Sequence, residues 1–397
     1  MTSAGVQGVG WDVDPELPGW AGRPVLDADV TADACVVGLG GSGLAAVEDL
    51  SGRGLSVVGV DAGRVAGGAA GRNGGFLLGG GAPSIQDAAG RWGRAAALEL
   101  YRRTLAELDH LTDRLGPGVV RRPGSIRLAG LPGEPVDAAE AADREREISD
   151  CQEQERFLRA AGISVESYDG PLGQGLFLPG DGATNPAARA FALAESVVAE
   201  APERVRLFEH SPVQSVVPGR VVTPAGVVRA AVVIVAVDGR LDVLLPQLAP
   251  LVRTARLQML ATAPGLPVRL PCPVYGRWGY DYGQQDAAGR IMVGGGRDRF
   301  AEQEWTVDDA PTAPVQGWIE QVARRLAGTE VEVSHRWAAS VGFTADGRAL
   351  CLPVAERVLA CGGYSGTGNL VGPVAVRSAI AFLLDGTPVP PYFLSAL

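Results

Sequence analysis

Residues 35–61 read CVVGLGGSGLAAVEDLSGRGLSVVGVD, and the reading of this stretch decides the fold. A short apolar run, Cys35-Val36-Val37, predicts a strand. Three glycines follow in the spacing Gly38-x-Gly40-x-x-Gly43. Then come a helix-like segment from Leu44 to Arg53, a second apolar run from Leu55 to Val60, and an acid, Asp61. The whole is a strand–turn–helix–strand unit with a carboxylate at the tip of its second strand. Gly38 permits the tight turn out of the first strand, Gly40 lets the backbone approach a pyrophosphate, and Gly43 lets helix and strand pack closely. The start of the helix offers free N–H groups and a positive dipole end to phosphates. Asp61 can accept hydrogen bonds from both hydroxyls of an adenosine ribose, which disfavours a 2′-phosphate. The glycine spacing alone is weak evidence. With the flanking strands and the acid at the right distance, it is a dinucleotide-binding fingerprint.

Composition narrows the rest. A chain of 397 residues is long enough for two domains with their own cores. Hydrophobic content of 46% and charged content of 20% describe an ordinary globular protein. A formal net charge of −10 argues against nucleic acid or an anionic membrane surface as partner. No run of eighteen apolar residues occurs and no basic segment precedes an apolar one, so neither a membrane span nor a signal peptide is expected. The five cysteines are odd in number and lack CxxC spacing. They predict no disulfide framework and no metal site, and fit a reducing cytoplasm. Cys35 and Cys361 read as small buried hydrophobes. Lysine is absent, so all 35 basic residues are arginine. A Schiff-base lysine and a lysine general base are thereby excluded.

Beyond Asp61 lies a tract from Ala62 to Gly81 in which nine of twenty residues are glycine. Such a stretch packs no core and suits a loop lying against a flat ligand, where only backbone fits. Helical apolar spacing over 92–115 ends at Gly116-Pro117-Gly118, residues 124–128 read as β, and 134–161 as a charged helix or helix pair. Asn185-Pro186 predicts a helix start, with Asn185 as N-cap and Pro186 at the first helical position. Strands are expected at 205–208, 213–217, 221–228 and 231–237, the last apolar throughout, as in a parallel sheet covered on both faces. Residues 251–262, 272–283 and 289–296 predict strands of another sheet, with Trp278, Tyr280 and Tyr282 alternating onto one face. A helix over 314–327, strands at 336–342 and 358–360, and a last helix over 374–384 complete the reading. The expected fold class is α/β, a Rossmann-like nucleotide-binding domain with a parallel central sheet, plus a discontinuous α+β substrate domain on an antiparallel sheet. Residues 30–85, 175–245 and 335–390 would form the first and 86–174 and 246–334 the second, with 1–29 as an extended N-terminal arm.

Four separated motifs coincide with a known pattern. They are the fingerprint Gly38–Asp61, Gly71-Arg72-Asn73-Gly74-Gly75, Gly342-Phe343-Thr344-Ala345-Asp346-Gly347, and Gly363-Tyr364-Ser365-Gly366-Thr367-Gly368. Over residues 30–385 the chain resembles the FAD-dependent amine and amino-acid oxidases of the D-amino-acid oxidase, glycine oxidase and sarcosine oxidase type. The GRNGG form with Trp337 looks most like the gamma-glutamylputrescine oxidoreductase branch. The resemblance implies non-covalent FAD, because the cysteine that attaches FAD in some relatives has no counterpart in 336–343. It implies that Gly38, Gly40, Gly41, Ser42 and Gly43 take the pyrophosphate, with Asp61, Ala62 and Arg64 on the adenosine side and Val213 touching adenine through its backbone. Ala70, Arg72, Asn73, Gly74 and Gly75 would line the isoalloxazine. Gly363, Tyr364, Gly366, Thr367, Gly368, Asn369 and Leu370 would face its pyrimidine edge, where the last helix's dipole favours the anionic reduced ring.

The implied activity is oxidation of the C–N bond of an amine or amino acid by hydride transfer to flavin N5, giving an imine. Oxygen, reduced to H2O2, or another acceptor would reoxidise the flavin. Sarcosine oxidase–like relatives carry a flavin-facing lysine on the strand matching 289–296, and here that strand reads Arg290-Ile291-Met292-Val293, which opens the choice of acceptor. Candidate site residues are Arg72, Tyr280, Tyr282, Trp337 and His335. Arg72 either places a charge beside the ring or ties down its own loop. The tyrosines either wall a cavity or pack a sheet face. Arg277, Arg290, Arg297 and Arg336 are unranked candidates for a substrate carboxylate. The alternatives are another FAD reaction of monooxygenase type and a non-catalytic FAD-binding scaffold or sensor.

Overall fold

The computed structural model describes residues 6–395. The fingerprint folds as its spacing demands, with a strand Val30–Val37, a helix Gly41–Gly52 and a strand Val57–Val60. Gly38 turns with φ of +95°. A Cβ on Gly43 would stand 1.7 Å from the Gly38 carbonyl oxygen, so the helix and strand touch backbone to backbone.

Five strands run parallel, in the order Val205–Phe208, Val57–Val60, Val30–Val37, Val227–Val235 and Val358–Gly362. Antiparallel strands extend this sheet beyond Val227–Val235, Ser215–Val217 with Arg220–Val222 beside the start of that strand, and Leu350–Ala355 beside Val358–Gly362 at its end. The helices Gly41–Gly52, Pro186–Glu200 and Gly368–Asp385 cover one face through Leu44, Val47, Phe191, Val376 and Ile380. Leu241, Leu248 and Val252 cover the other. Each such fully buried side chain contributes about 1.5–3 kcal/mol. Asn185 caps the helix Pro186–Glu200, its side-chain oxygen accepting from the N–H of Ala187 and Ala188.

The second sheet has nine strands in the order Val6–Gln7, Val333–Phe343, Arg253–Thr262, Ile291–Gly294, Asp281–Gln285, Val274–Gly276, Ser125–Leu128, Gly173–Leu178 and Glu166–Gly170. It is antiparallel except at two joins, Val6–Gln7 with Val333–Phe343 and Val274–Gly276 with Ser125–Leu128. The helix Ala313–Ala327 seals one face through Val315, Ile319, Val322 and Leu326.

Several expectations are corrected. The strand Val333–Phe343 pairs along its length with Arg253–Thr262 in the nine-stranded sheet, so an edge at residue 335 falls inside a strand assigned to the other unit. Residues 272–283 are not one strand. Gly276 and Gly279 bracket a 3-10 turn, Arg277–Gly279, in which Arg277 and Trp278 take φ of +49° and +56°. Buried acids hold the turn open, as Glu147 accepts the Trp278 backbone N–H and Asp281 and Asp298 pair with Arg277. The last helix begins at Gly368 rather than 374 and continues through Pro373. By length and composition it could cross a membrane, yet it packs as a core helix against the fingerprint helix. The arm is not extended throughout. Val6–Gln7 pairs with the nine-stranded sheet, Gly10–Val13 forms a 3-10 turn, and Trp11 is buried among Met259, Ala261, Met292 and Trp337. Residues 1–5 of the arm lie outside the described residues.

Candidate functional site

The two sheets enclose a cavity of about 650 Å³. Its floor is built from two loops that the chain brings together from opposite ends, Arg72–Gly74 and Ser365–Leu370. The first loop is held by its own asparagine. The Asn73 side chain donates to the carbonyls of Ala69 and Ala70 and accepts from the Gly75 N–H at 2.7 Å. From outside, Trp11 Nε1 donates to the Asn73 carbonyl and Trp337 Nε1 to the Arg72 carbonyl, both at 2.8 Å. Asn369, in the first turn of the C-terminal helix, donates to the Phe76 carbonyl at 2.8 Å and joins the Asn73 side chain at 2.9 Å. The second loop hangs on Asp238, whose carboxylate accepts from the N–H groups of Gly342 and Tyr364. Burial pushes the Asp238 carboxyl up to about 6 against those bonds.

The walls are sheet residues Leu257, Met259, Ala339, Val341 and Phe343, with the aromatic rings of Tyr101, Tyr275, Trp278, Tyr280 and Tyr282. Burial pushes the Tyr275 and Tyr282 hydroxyls well above their ordinary range. They therefore remain O–H groups at neutral pH and serve as donors, not bases. Around the rim stand four arginines, Arg72, Arg91, Arg127 and Arg297, against Asp87 as the one carboxylate among the lining residues described.

Of the five catalytic candidates, the structure brings Arg72, Tyr280 and Tyr282 to the cavity. Arg72 reaches across to the Ala338 carbonyl at 3.2 Å and to Asp309 at 3.3 Å, so it ties its loop to the neighbouring strand rather than to itself. Tyr280 arrives from the turn and not from strand alternation. Trp337 and His335 do not line the cavity. Both belong to the strand Val333–Phe343, and beyond Ala339 that strand is roofed by the arm. A Cβ on Gly10 would meet the Trp337 ring at 3.0 Å, and one on Gly8 the His335 ring at 3.6 Å. Trp337 is buried and positions the Arg72 backbone, while burial and nearby Arg290 hold the His335 imidazole below its ordinary range.

Among the cofactor candidates, Arg72, Asn73, Gly74, Gly366, Thr367, Asn369 and Leu370 line the cavity. Ala70 and Gly75 flank the first loop and take part in its bonds to Asn73. Gly363 and Tyr364 flank the second and Gly368 lies within it without lining the cavity, and Thr367 Oγ1 donates to the Tyr364 carbonyl at 2.8 Å. The turn Gly38–Gly43 and Asp61 form a second group at the tip of the parallel sheet. Asp61 is half-buried and accepts from the Leu39 and Gly63 N–H groups, which oppose the upward push of burial on its carboxyl. Ala62 follows it, and Ser211 N donates to the Asp61 carbonyl, which sets Val213 two residues along that segment. Arg64 pairs with Asp12 of the arm.

These residues fit FAD. The glycine turn presents backbone alone, the half-buried Asp61 stands at the end of the second strand of the unit, and a Cβ on Gly366 would meet nothing within 4 Å at the cavity floor.

Sequence reasoning did not find Gln284, Asp238, Trp11 or Arg189. Gln284 donates to the carbonyls of Gly74 and Thr184 and locks the first loop to the antiparallel sheet. Its strand reads Asp281-Tyr282-Gly283-Gln284-Gln285, and nothing in that polar run set Gln284 apart. Of the four carboxylate candidates, Arg277 is tied to Asp281 and Asp298, Arg290 to Asp286 and Arg336 to Glu320. Arg297 lies over the rings of Phe343, Trp305 and Tyr280 at 4.3, 5.6 and 5.7 Å. It pairs with no carboxylate among the described residues.

A family profile described as "FAD dependent oxidoreductase" (DAO) matches residues 33–379. Among solved structures, glycine oxidase from Geobacillus kaustophilus superposes with a TM-score of 0.70 at 20% identity, over 92% of this chain and 98% of that one. Iminodiacetate oxidase from Chelativorans sp. BNC1 gives 0.67 at 16% identity, over 91% and 99%. L-alpha-glycerophosphate oxidase from Mycoplasma pneumoniae with FAD bound gives 0.67 at 15% identity, over 92% and 99%. At these identities the likeness establishes a shared fold. No curated protein sequence matches the chain.

Proposed function

Because this chain belongs to the DAO family of FAD-dependent oxidoreductases, we propose that it oxidises the C–N bond of an amino acid or other amine that bears a carboxylate. The carrying observation is Arg297, a cavity guanidinium on an aromatic platform with no carboxylate partner among the described residues. A desolvated cation of this kind gains most from a bidentate carboxylate. The other rim arginines add to the same field, which disfavours a polyamine whose charge is purely positive.

When bound, FAD supplies a two-electron acceptor for the C–H beside the substrate nitrogen. The protein orients that C–H over the Arg72–Gly74 floor by holding the carboxylate at Arg297, and the apolar walls exclude water. Arg72, Tyr280 and Tyr282 are the remaining positioning candidates, with the tyrosine hydroxyls as donors. Among the described residues the cavity lining contains no histidine, glutamate or lysine. The amine therefore enters in its neutral form, and the product imine hydrolyses in solvent. The FAD-binding unit is assigned to 30–85, 175–245 and 344–390, with the substrate unit on the nine-stranded sheet. Five buried free thiols suit a reducing cytoplasm.

The strand matching the one that carries the relatives' lysine reads Arg290-Ile291-Met292-Val293, and Met292 lies in an apolar cluster with Trp11, Met259 and Trp337. The missing lysine supports slow reoxidation by O2, a different cation in its place, or a different acceptor.

The test is anaerobic reduction of the yellow holoenzyme with paired compounds. Amino acids and N-substituted glycines should bleach the flavin, and the corresponding decarboxylated amines should not. Faster bleaching by polyamines would overturn the carboxylate reading, and bleaching by 2-hydroxy acids alone would replace C–N by C–O chemistry.

A further inference from the structure

The fingerprint turn carries a charge that its glycines do not require. Arg189 lies in the helix Pro186–Glu200 and is 3% exposed. It has no carboxylate within salt-bridge distance among the described residues. Its guanidinium donates to the Asn369 carbonyl at 3.0 Å and to the Asn369 side-chain oxygen at 2.8 Å. The same group touches the turn, since a Cβ on Gly41 would stand 2.9 Å from Arg189 Nη2. Gly41 opens the fingerprint helix and Asn369 lies in the first turn of the C-terminal helix. Neither helix start has a side-chain cap, so both present free N–H groups and positive dipole ends. A buried cation between two positive helix ends carries a desolvation cost that its bonds to Asn369 and the charge of Glu107 offset only in part. Burial lowers its pKa to about 10, which still leaves it charged at neutral pH. An anion occupying the turn would supply the matching charge that Asn369, a neutral acceptor, does not.

We infer that Arg189 is a built-in counter-charge for the diphosphate of FAD, supplementing the glycine turn from the helix Pro186–Glu200. The same guanidinium bonds the asparagine that links the two flavin-side loops, so filling the diphosphate site and ordering the cavity floor are coupled through one side chain. This inference rests on the cofactor and is independent of the substrate.

Arg189→Met and Arg189→Lys holoenzymes test it through FAD release, followed by flavin fluorescence. Displacement of FAD by adenosine and by ADP separates the diphosphate from the adenine and ribose. Arg189→Met should weaken FAD and ADP by about tenfold or more, the usual worth of a charge-assisted contact, and leave adenosine unchanged. Arg189→Lys, which keeps the charge, should retain most of the affinity for both. The melting midpoint of FAD-stripped Arg189→Met should equal or exceed that of the stripped parent, because an uncompensated buried charge is gone. If adenosine and ADP weaken equally, or the stripped variant melts lower, Arg189 is a structural brace and the inference fails. It fails also if FAD release is unchanged.

Discussion

Arg297 and the cavity tyrosines make predictions at the scale of single residues. Exchanging Arg297 for Gln removes the charge and keeps a donor, while Phe343, Trp305 and Tyr280 still support the side chain. A carboxylate substrate should then show KM raised at least about tenfold, with the flavin absorbance spectrum of the resting enzyme unchanged. Steady-state kinetics beside a spectrum checks both. Because the Tyr275 and Tyr282 hydroxyls are held up by burial, neither tyrosine turns into a base near neutrality. kcat/KM should rise with pH and level off at the pKa of the substrate's own amine, moving when the substrate is changed and not when Tyr282 is replaced by Phe. Arg72, Tyr280 and Tyr282 were legible in the sequence as cavity residues. Arg297 could not be ranked above Arg277, Arg290 and Arg336, because what separates them is which arginines find an acid, and those acids are set by tertiary packing.

At the scale of elements, loops are held by bonds from elements far away in sequence. Trp337 sits in the strand Val333–Phe343 and donates to the Arg72 carbonyl, 265 residues earlier. Trp337→Phe keeps the ring in its apolar cluster and strips that carbonyl of its donor, at a cost of about 1–3 kcal/mol. Denaturant melts should show that loss, together with weaker FAD retention. The motif around Trp337 marked its neighbourhood correctly, but not its role, since the arm that roofs it is too polar and irregular to announce a packed segment. The turn Arg277–Gly279 escaped for a related reason. Its aromatic alternation has the period of a strand, and only Glu147, Asp281 and Asp298, two of them outside that stretch, pull it out of line.

At the scale of the whole molecule, buried acids staple the units together and tie stability to pH. Burial raises the carboxyls of Asp61, Glu107, Glu147, Asp181, Asp238 and Asp281, with Asp181 and Asp238 both reaching about 6. Where the folded pKa exceeds the unfolded value of about 4, the folded form binds more protons between the two. Stability from Asp181 and Asp238 is therefore complete below about pH 4 and is lost as pH rises through about 6. The melting midpoint of the holoenzyme should fall from pH 5 to pH 7, and Asp181→Asn should flatten part of that slope. A steeper rise in stability over the same window would contradict the shifts. The sequence by itself determined the parallel nucleotide-binding unit, because glycine spacing, apolar runs and a terminal acid act over a few dozen residues. FAD and the two flavin-side loops were implied by the resemblance of its four motifs to a known family. Only the tertiary structure decided which arginines are free, where the arm packs, and that a buried arginine waits at the diphosphate turn. A charge's partner is chosen by distance in space, and no spacing along the chain encodes it.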